Sequence, residues 1–159
     1  MNAFRFFLAL PALAVLSFTS VAGDPLPKDI IAALQSAPNI ALYSLDPDFP
    51  LFKGPGFHKF KVLGRVSITE AVTRQRLANR LEADALAGGG GALCFNPHYG
   101  IRLTSRHVVH DLVICYDCGS IEIHSTGLGV RGVLIAGDKS YLDDIFDAAV
   151  KSSAPPKNK

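Results

Sequence analysis

Apolar and polar positions alternate through Phe57–Ile68. His58, Phe60, Val62, Gly64, Val66 and Ile68 take one side; Lys59, Lys61, Arg65 and Ser67 take the other, with Phe57 and Leu63. A period of two marks a half-buried strand of an antiparallel sheet. The same period returns in Ser120–His124, where Ile121 and Ile123 point inward and Ser120, Glu122 and His124 outward. With the β-branched run His107–Tyr116 and the tight turn Asp117-Cys118-Gly119, it forms the strongest hairpin signal in the chain. Ile40–Leu45 and Val130–Ala136 are further strands, and Leu93–Phe95 and Ile101–Thr104 are short strand pieces interrupted by Asn96-Pro97.

A second period marks the helices. Leu142, Ile145, Phe146, Ala149 and Val150 recur at helical spacing behind Ser140-Tyr141-Leu142-Asp143, whose acid suits a helix N-terminus. Ser67-Ile68-Thr69-Glu70 has the form of a capping box and predicts a helix to about Ala87. Its Ala71, Ala78, Leu81 and Ala85 would face the sheet, flanked by Val72 and Leu77, with Arg74, Arg76 and Arg80 in water. A shorter helix spans Pro27–Leu34, with proline in the first turn and Ile30, Ile31 and Leu34 on one face. Asp46–Gly56 has three prolines and two glycines and is a loop, although Phe49, Leu51 and Phe52 are apolar; they fold back on the core or form an exposed contact patch. The fold class expected is α+β: an antiparallel sheet of about five strands with two longer helices packed on one face.

The first residues change the picture of where this domain works. Arg5 is the only charge before Asp24, Phe6–Val21 is apolar, and Ser20-Val21-Ala22 offers small residues for a signal peptidase. Residues 1–22 therefore read as a secretory signal peptide, 23–151 as a single α+β domain and 152–159 as a polar, disordered tail. The expected location is periplasmic or secreted, with no membrane association after cleavage. Without Arg5 the chain has 15 basic against 14 acidic residues, a net charge of +1, which is no footprint for nucleic acid.

The candidate chemistry lies in Leu93–His124, which holds Cys94, Cys115 and Cys118 and four of the five histidines. Three cysteines in an exported chain imply one disulfide plus a leftover thiol, or a site. A bridge from Cys94 to Cys118 (or Cys115) closes about 25 residues and contributes about 3.5 kcal/mol in the chain-entropy model; Cys115 to Cys118 closes four residues and contributes about 2 kcal/mol. The bridge involving Cys94 is favoured on that ground. The alternatives are a structural zinc held by Cys94, His98, Cys115 and Cys118 as two ligand pairs, and a redox dithiol at Cys115-Tyr116-Asp117-Cys118.

Cys94-Phe95-Asn96-Pro97, then Arg102, then Ile114-Cys115-Tyr116-x-Cys118, resembles a family of uncharacterised exported bacterial proteins whose pattern is Cys-Phe-x-Pro-Arg-His followed by Ile-Cys-Phe-x-Cys. His98 and Tyr99 stand where that family has arginine and histidine. The resemblance spans about Ala41–Phe146. It implies that the cysteine motifs are a family feature and brings no activity with it.

Other constellations are weaker. His107 and His110 are three apart on an expected strand, and His110 and Asp111 are neighbours, so each pair diverges. His58 and His124 read as lone strand histidines. Gly127-Leu128-Gly129-Val130-Arg131-Gly132 has the letters of a dinucleotide fingerprint, but Val133-Leu134-Ile135 follows where a helix must open, so the glycines read as a turn. There is no Gly-x-Ser-x-Gly or His-Glu-x-x-His. These observations predict no catalytic residues and no cofactor. They favour an exported, non-enzymatic domain that binds another protein, as an inhibitor or immunity-type partner. The alternative is a structural-zinc or thiol-redox protein centred on Cys94, His98, Cys115 and Cys118.

Overall fold

In the computed structural model, which describes residues 23–48 and 52–153, the order of elements is α1 (Lys28–Ser36), β1 (Ile40–Leu45), β2 (Val62–Ile68), α2 (Ala71–Ala87), β3 (Tyr99–Ser105), β4 (Val108–Cys115), β5 (Ser120–Ser125), β6 (Gly129–Leu134) and α3 (Ser140–Ser153). Six strands form one sheet in the order β2-β1-β3-β4-β5-β6, antiparallel throughout. The class is the α+β expected, with one strand more than about five; the two longer helices are α2 and α3, and the short helix expected at Pro27–Leu34 is α1.

All three helices cover one sheet face. Ile30 and Leu34 of α1, Leu77 and Leu81 of α2 and Leu142 of α3 share a buried cluster with Ile40, Leu42, Ile101, Leu103, Leu112, Ile114, Ile121 and Ile123. Strand alternation sends these sheet residues to one side. Phe146 of α3 reaches Gly64, where an added Cβ would lie 2.7 Å from its ring; a bare backbone at 64 lets α3 approach β2.

The opposite face carries a smaller apolar cluster of Leu45, Phe57, Phe60 and Val113, with Tyr43, Val62 and Phe95 at its edge. Phe57–Phe60 is not the start of a strand. It is a tight turn closed by reciprocal backbone bonds of 3.0 Å between Phe57 and Phe60, with His58 at φ 54°. Both phenylalanines pack down onto the sheet, Phe57 over Gly100, where an added Cβ would meet the ring at 2.5 Å. Burial of two rings three residues apart outweighs the alternating pattern, so β2 begins only at Val62.

The capping box is also corrected. Ser67 and Ile68 stay in the β1–β2 ladder, opposite Ala41 and Ile40, so α2 starts at Ala71 with Glu70 as its cap and no side-chain capping bond. Leu77, Ala78, Leu81 and Ala85 are buried as expected, whereas Ala71 and Val72 are exposed. Cys94 and Phe95 lie in a loop rather than a strand. Ser152 and Ser153 continue α3, while residues 154–159 and 1–22 lie outside the described residues, as do Phe49 and Leu51 of the apolar loop; Phe52 is half-buried. Among the described residues, no helix is long and apolar enough to cross a membrane.

Candidate functional site

The face away from the helices holds a polar row. Ala41, Arg102, Asp111, His124 and Val130 stand side by side across β1, β3, β4, β5 and β6. Arg102 donates to both carboxylate oxygens of Asp111, Nε to Oδ1 at 2.7 Å and Nη2 to Oδ2 at 2.6 Å. His58 Nε2 bonds the same Oδ2 at 2.9 Å from above. Burial alone would raise the Asp111 pKa; the hydrogen bonds from Arg102 and His58 outweigh it and bring the carboxyl down to about 2. The carboxylate is thus a fixed charge that orients two donors.

His58 is placed by its turn. A positive φ suits histidine better than a β-branched residue, and it tips the ring over the sheet. There the ring stacks on His124 at 4.0 Å between centroids and meets the edge of Phe57 at 5.0 Å. His124 Nε2 also lies 3.3 Å from Glu122 Oε2 on the same side of β5. Arg102 lies over the Phe57 ring at 5.4 Å, so the small apolar cluster and the polar row brace one another. A hollow of about 360 Å³ opens beside this group, bordered by His58, Asp111, His124, Ser125, Thr126, Gly127, Gly129 and Val130. Gly127 and Gly129, at φ 79° and 82°, form the turn at its lip, as expected of these glycines.

His58 and Asp111 have the geometry of a base and its orienting carboxylate. The hydroxyls that border the hollow are otherwise engaged. Ser125 faces the helix side and lies 2.8 Å from His110 Nδ1; Thr126 Oγ1 donates to the Val109 carbonyl at 3.4 Å. His110 and Asp111 diverge to opposite faces as the strand period requires, and burial lowers the His110 pKa, favouring the neutral ring. His107 sits with Arg106 in the β3–β4 turn, both at positive φ, and not on a strand.

The cysteines occupy the other end of this face. Cys115 ends β4, the Tyr116–Gly119 turn folds back, and the Cα atoms of Cys115 and Cys118 come within 5.1 Å, with their sulfurs at bonding distance. Cys94 is free and exposed. The favoured bridge from Cys94 is therefore replaced by Cys115–Cys118. Loop-closure entropy favours the long ring, but the hairpin turn has already brought Cys115 and Cys118 together, whereas Cys94 lies on the surface side of a crossing loop. That loop is tied down by Ala92 N–H to the Cys118 carbonyl at 3.0 Å and Asn96 N–H to Cys118 Sγ at 3.3 Å. His98 Nδ1 faces Asp117 Oδ2 at 3.9 Å, and among the described residues no three His, Cys, Asp or Glu side chains converge as a metal site; Cys94, His98, Cys115 and Cys118 are not brought to one point.

A third polar cluster lies under the helices. The buried Asp84 carboxylate accepts from Arg80 Nε at 2.8 Å and from Tyr116 Oη at 2.6 Å; with its one proton committed there, Tyr116 accepts from the Tyr141 hydroxyl at 2.9 Å. Burial above all pushes both phenols up and keeps them protonated, with Tyr141 and then Asp84 adding to the effect on Tyr116 and Asp84 to that on Tyr141. This cluster ties α2, α3 and the end of β4 together.

The His58–Asp111–Arg102 group was not visible as a site in the sequence. Arg102 and Asp111 are equidistant from the Arg106-His107 turn, so recognising that two-residue hairpin would have paired them. Neither residue is among the usual Asn-Gly or Asp-Gly turn signals. No family model matches the chain, and neither curated proteins nor solved structures give a match. The family resemblance therefore stands on the two cysteine motifs alone.

Proposed function

We propose that this is an exported, non-enzymatic protein-binding domain that takes a strand of another protein onto β6, with the His58–His124 group as the polar neighbour of that contact. The observation that carries the reading is the free edge at β6. It runs six residues, Gly129–Leu134, without lysine or proline, and its one charge, Arg131, is paired with Asp29 on the helix side and leaves the open face of the edge apolar. Ile135 N–H bonds the Gly119 carbonyl, so the ladder continues through Val133, Arg131 and Gly129, and the N–H groups of Val130, Gly132 and Leu134 point outward. Val130 and Leu134 are 61% and 47% exposed on the open face, with Leu128 62% exposed at the adjoining turn. Strand addition supplies affinity through main-chain bonds and specificity through alternate side chains. Export is supported by the apolar leader pattern and by the Cys115–Cys118 pair, which suits an oxidising compartment.

The reading favours binding over catalysis because, among the described residues, the two hydroxyls that border the hollow beside His58 and Asp111, those of Ser125 and Thr126, are engaged elsewhere. The test compares the wild-type domain with the Val130→Lys/Leu134→Lys double variant, cross-linked in the native envelope fraction. The expected result is a specific protein captured by wild type and reduced at least about tenfold by the variant, whose melting is unchanged because both sites are exposed. Identical capture by both proteins overturns the proposal. A wild-type dimer by light scattering that the double variant dissolves would make the partner a second copy instead.

A further inference from the structure

We propose that Cys94 is the surface nucleophile of a three-cysteine thiol–disulfide exchange site, through which the buried Cys115–Cys118 pair communicates with thiols outside the protein. The argument begins from burial. Cys115 and Cys118 are 0% and 1% exposed, so an external thiol has no direct approach to either sulfur. The segment that shields them is the one that carries Cys94. Ala92 N–H holds the Cys118 carbonyl and Asn96 N–H holds Cys118 Sγ, so the positions two before and two after Cys94 both bond to Cys118. Asn96 N lies 3.3 Å from the Cys118 sulfur and two residues span at most about 7 Å, so the Cys94 backbone is no more than about 10 Å from that sulfur. Gly90, Gly91, Ala92, Leu93 and Cys94 itself are all exposed, so a shift of Cys94 toward Cys118 moves this short exposed stretch while Gly88 and Phe95 on either side stay packed.

The exchange is balanced within the chain. The Cys94 thiolate attacks Cys118 Sγ, the Cys115–Cys118 bond breaks as the Cys94–Cys118 bond forms, and the electron pair leaves on Cys115 Sγ. The departing sulfur meets prepared partners. The Cys118 N–H lies 3.1 Å from Cys115 Sγ and stabilises a thiolate there; once that thiolate takes a proton from solvent, the thiol can donate to the Asn96 carbonyl at 3.3 Å. The new bridge ends on Cys94, where an external monothiol can attack. Its attack on Cys94 Sγ frees Cys118 and leaves a mixed disulfide on Cys94. A second monothiol releases that as the external disulfide. Two external thiols are oxidised and one protein disulfide is reduced.

Two measurements test this. Cys115→Ser keeps Cys94 and Cys118, and peptide mapping after rapid alkylation should find them bridged to each other in air; a folded variant with both thiols alkylated overturns the proposal. Should Cys115→Ser fail to fold, Cys94→Ser decides, because it changes only an exposed side chain. Opening of the Cys115–Cys118 pair by reduced glutathione should be at least about tenfold slower in Cys94→Ser than in wild type. An unchanged rate overturns the proposal whatever the first measurement shows.

Discussion

The two faces of the sheet are made by the same strands and behave as different materials. On the helix side, Ile101, Leu103, Leu112 and Ile114 meet α1, α2 and α3 in one continuous apolar layer. On the other, among the described residues, their immediate neighbours Gly100, Arg102, Asp111 and Val113 lie under a loop and one tight turn. Three helices exclude water from the central strands, as Ile101, Leu103, Leu112, Ile114, Ile121 and Ile123 show; the Phe57–Phe60 turn covers only part of the other face. Charged groups can remain partly hydrated on the thinly covered face, so the arginine, the aspartate and the paired histidines collect there. The lesson is that strand alternation assigns a residue to a side, but what covers that side decides whether it is core or surface chemistry.

The contrast can be broken most forcefully from the helix side. Ile101→Ala, at a site with no exposure, should lower unfolding free energy by about 2–5 kcal/mol in urea denaturation. If it costs no more than Val113→Ala in the smaller cluster, the two faces are energetically alike and the contrast fails. The open face is sharpened by pH. Asp111 has a folded pKa of about 2, below the unfolded value of about 3.8, so it contributes stability that is fully present above about pH 4 and lost as pH falls through about 2. The shift corresponds to about 2 kcal/mol. Asp111→Asn should remove that acid dependence from the melting curve, and a variant that keeps the wild-type profile between pH 4 and 2 would show that the Arg102 and His58 bonds do not stabilise the fold. The smallest effect belongs to the rim of the helix side. Arg131 and Asp29 pair at 2.8 Å while both remain substantially exposed, so Arg131→Ala should cost less than about 1 kcal/mol and the cost should shrink further in high salt.

Much of the architecture was legible because it depends on local rules. The Ser120–His124 strand, its hairpin with β4, the glycine turn before β6 and the Leu142, Ile145, Phe146 and Ala149 face of α3 all follow from periods of two or 3.6 and from turn chemistry, whereas Val150, expected on that face, is exposed. The errors lie where long-range packing overruled such rules. Phe57–Phe60 alternates on paper, yet both rings are buried, Phe57 where Gly100 leaves room for it on the sheet and Phe60 in the same small cluster. Ser67 has the right neighbours for a cap, yet it remains in the ladder with Ala41.

The amino-acid order alone determined the α+β class, the antiparallel pairing and the side of the sheet to which most strand residues point, since each follows from the pleat and from residues near in sequence. Only the tertiary structure decided that His58 would rest on Asp111 and His124, and that Cys118 would take Cys115 rather than Cys94. Those choices depend on which distant surfaces bury each other and on where a turn has already brought two groups together. Neither quantity is carried by spacing along the chain.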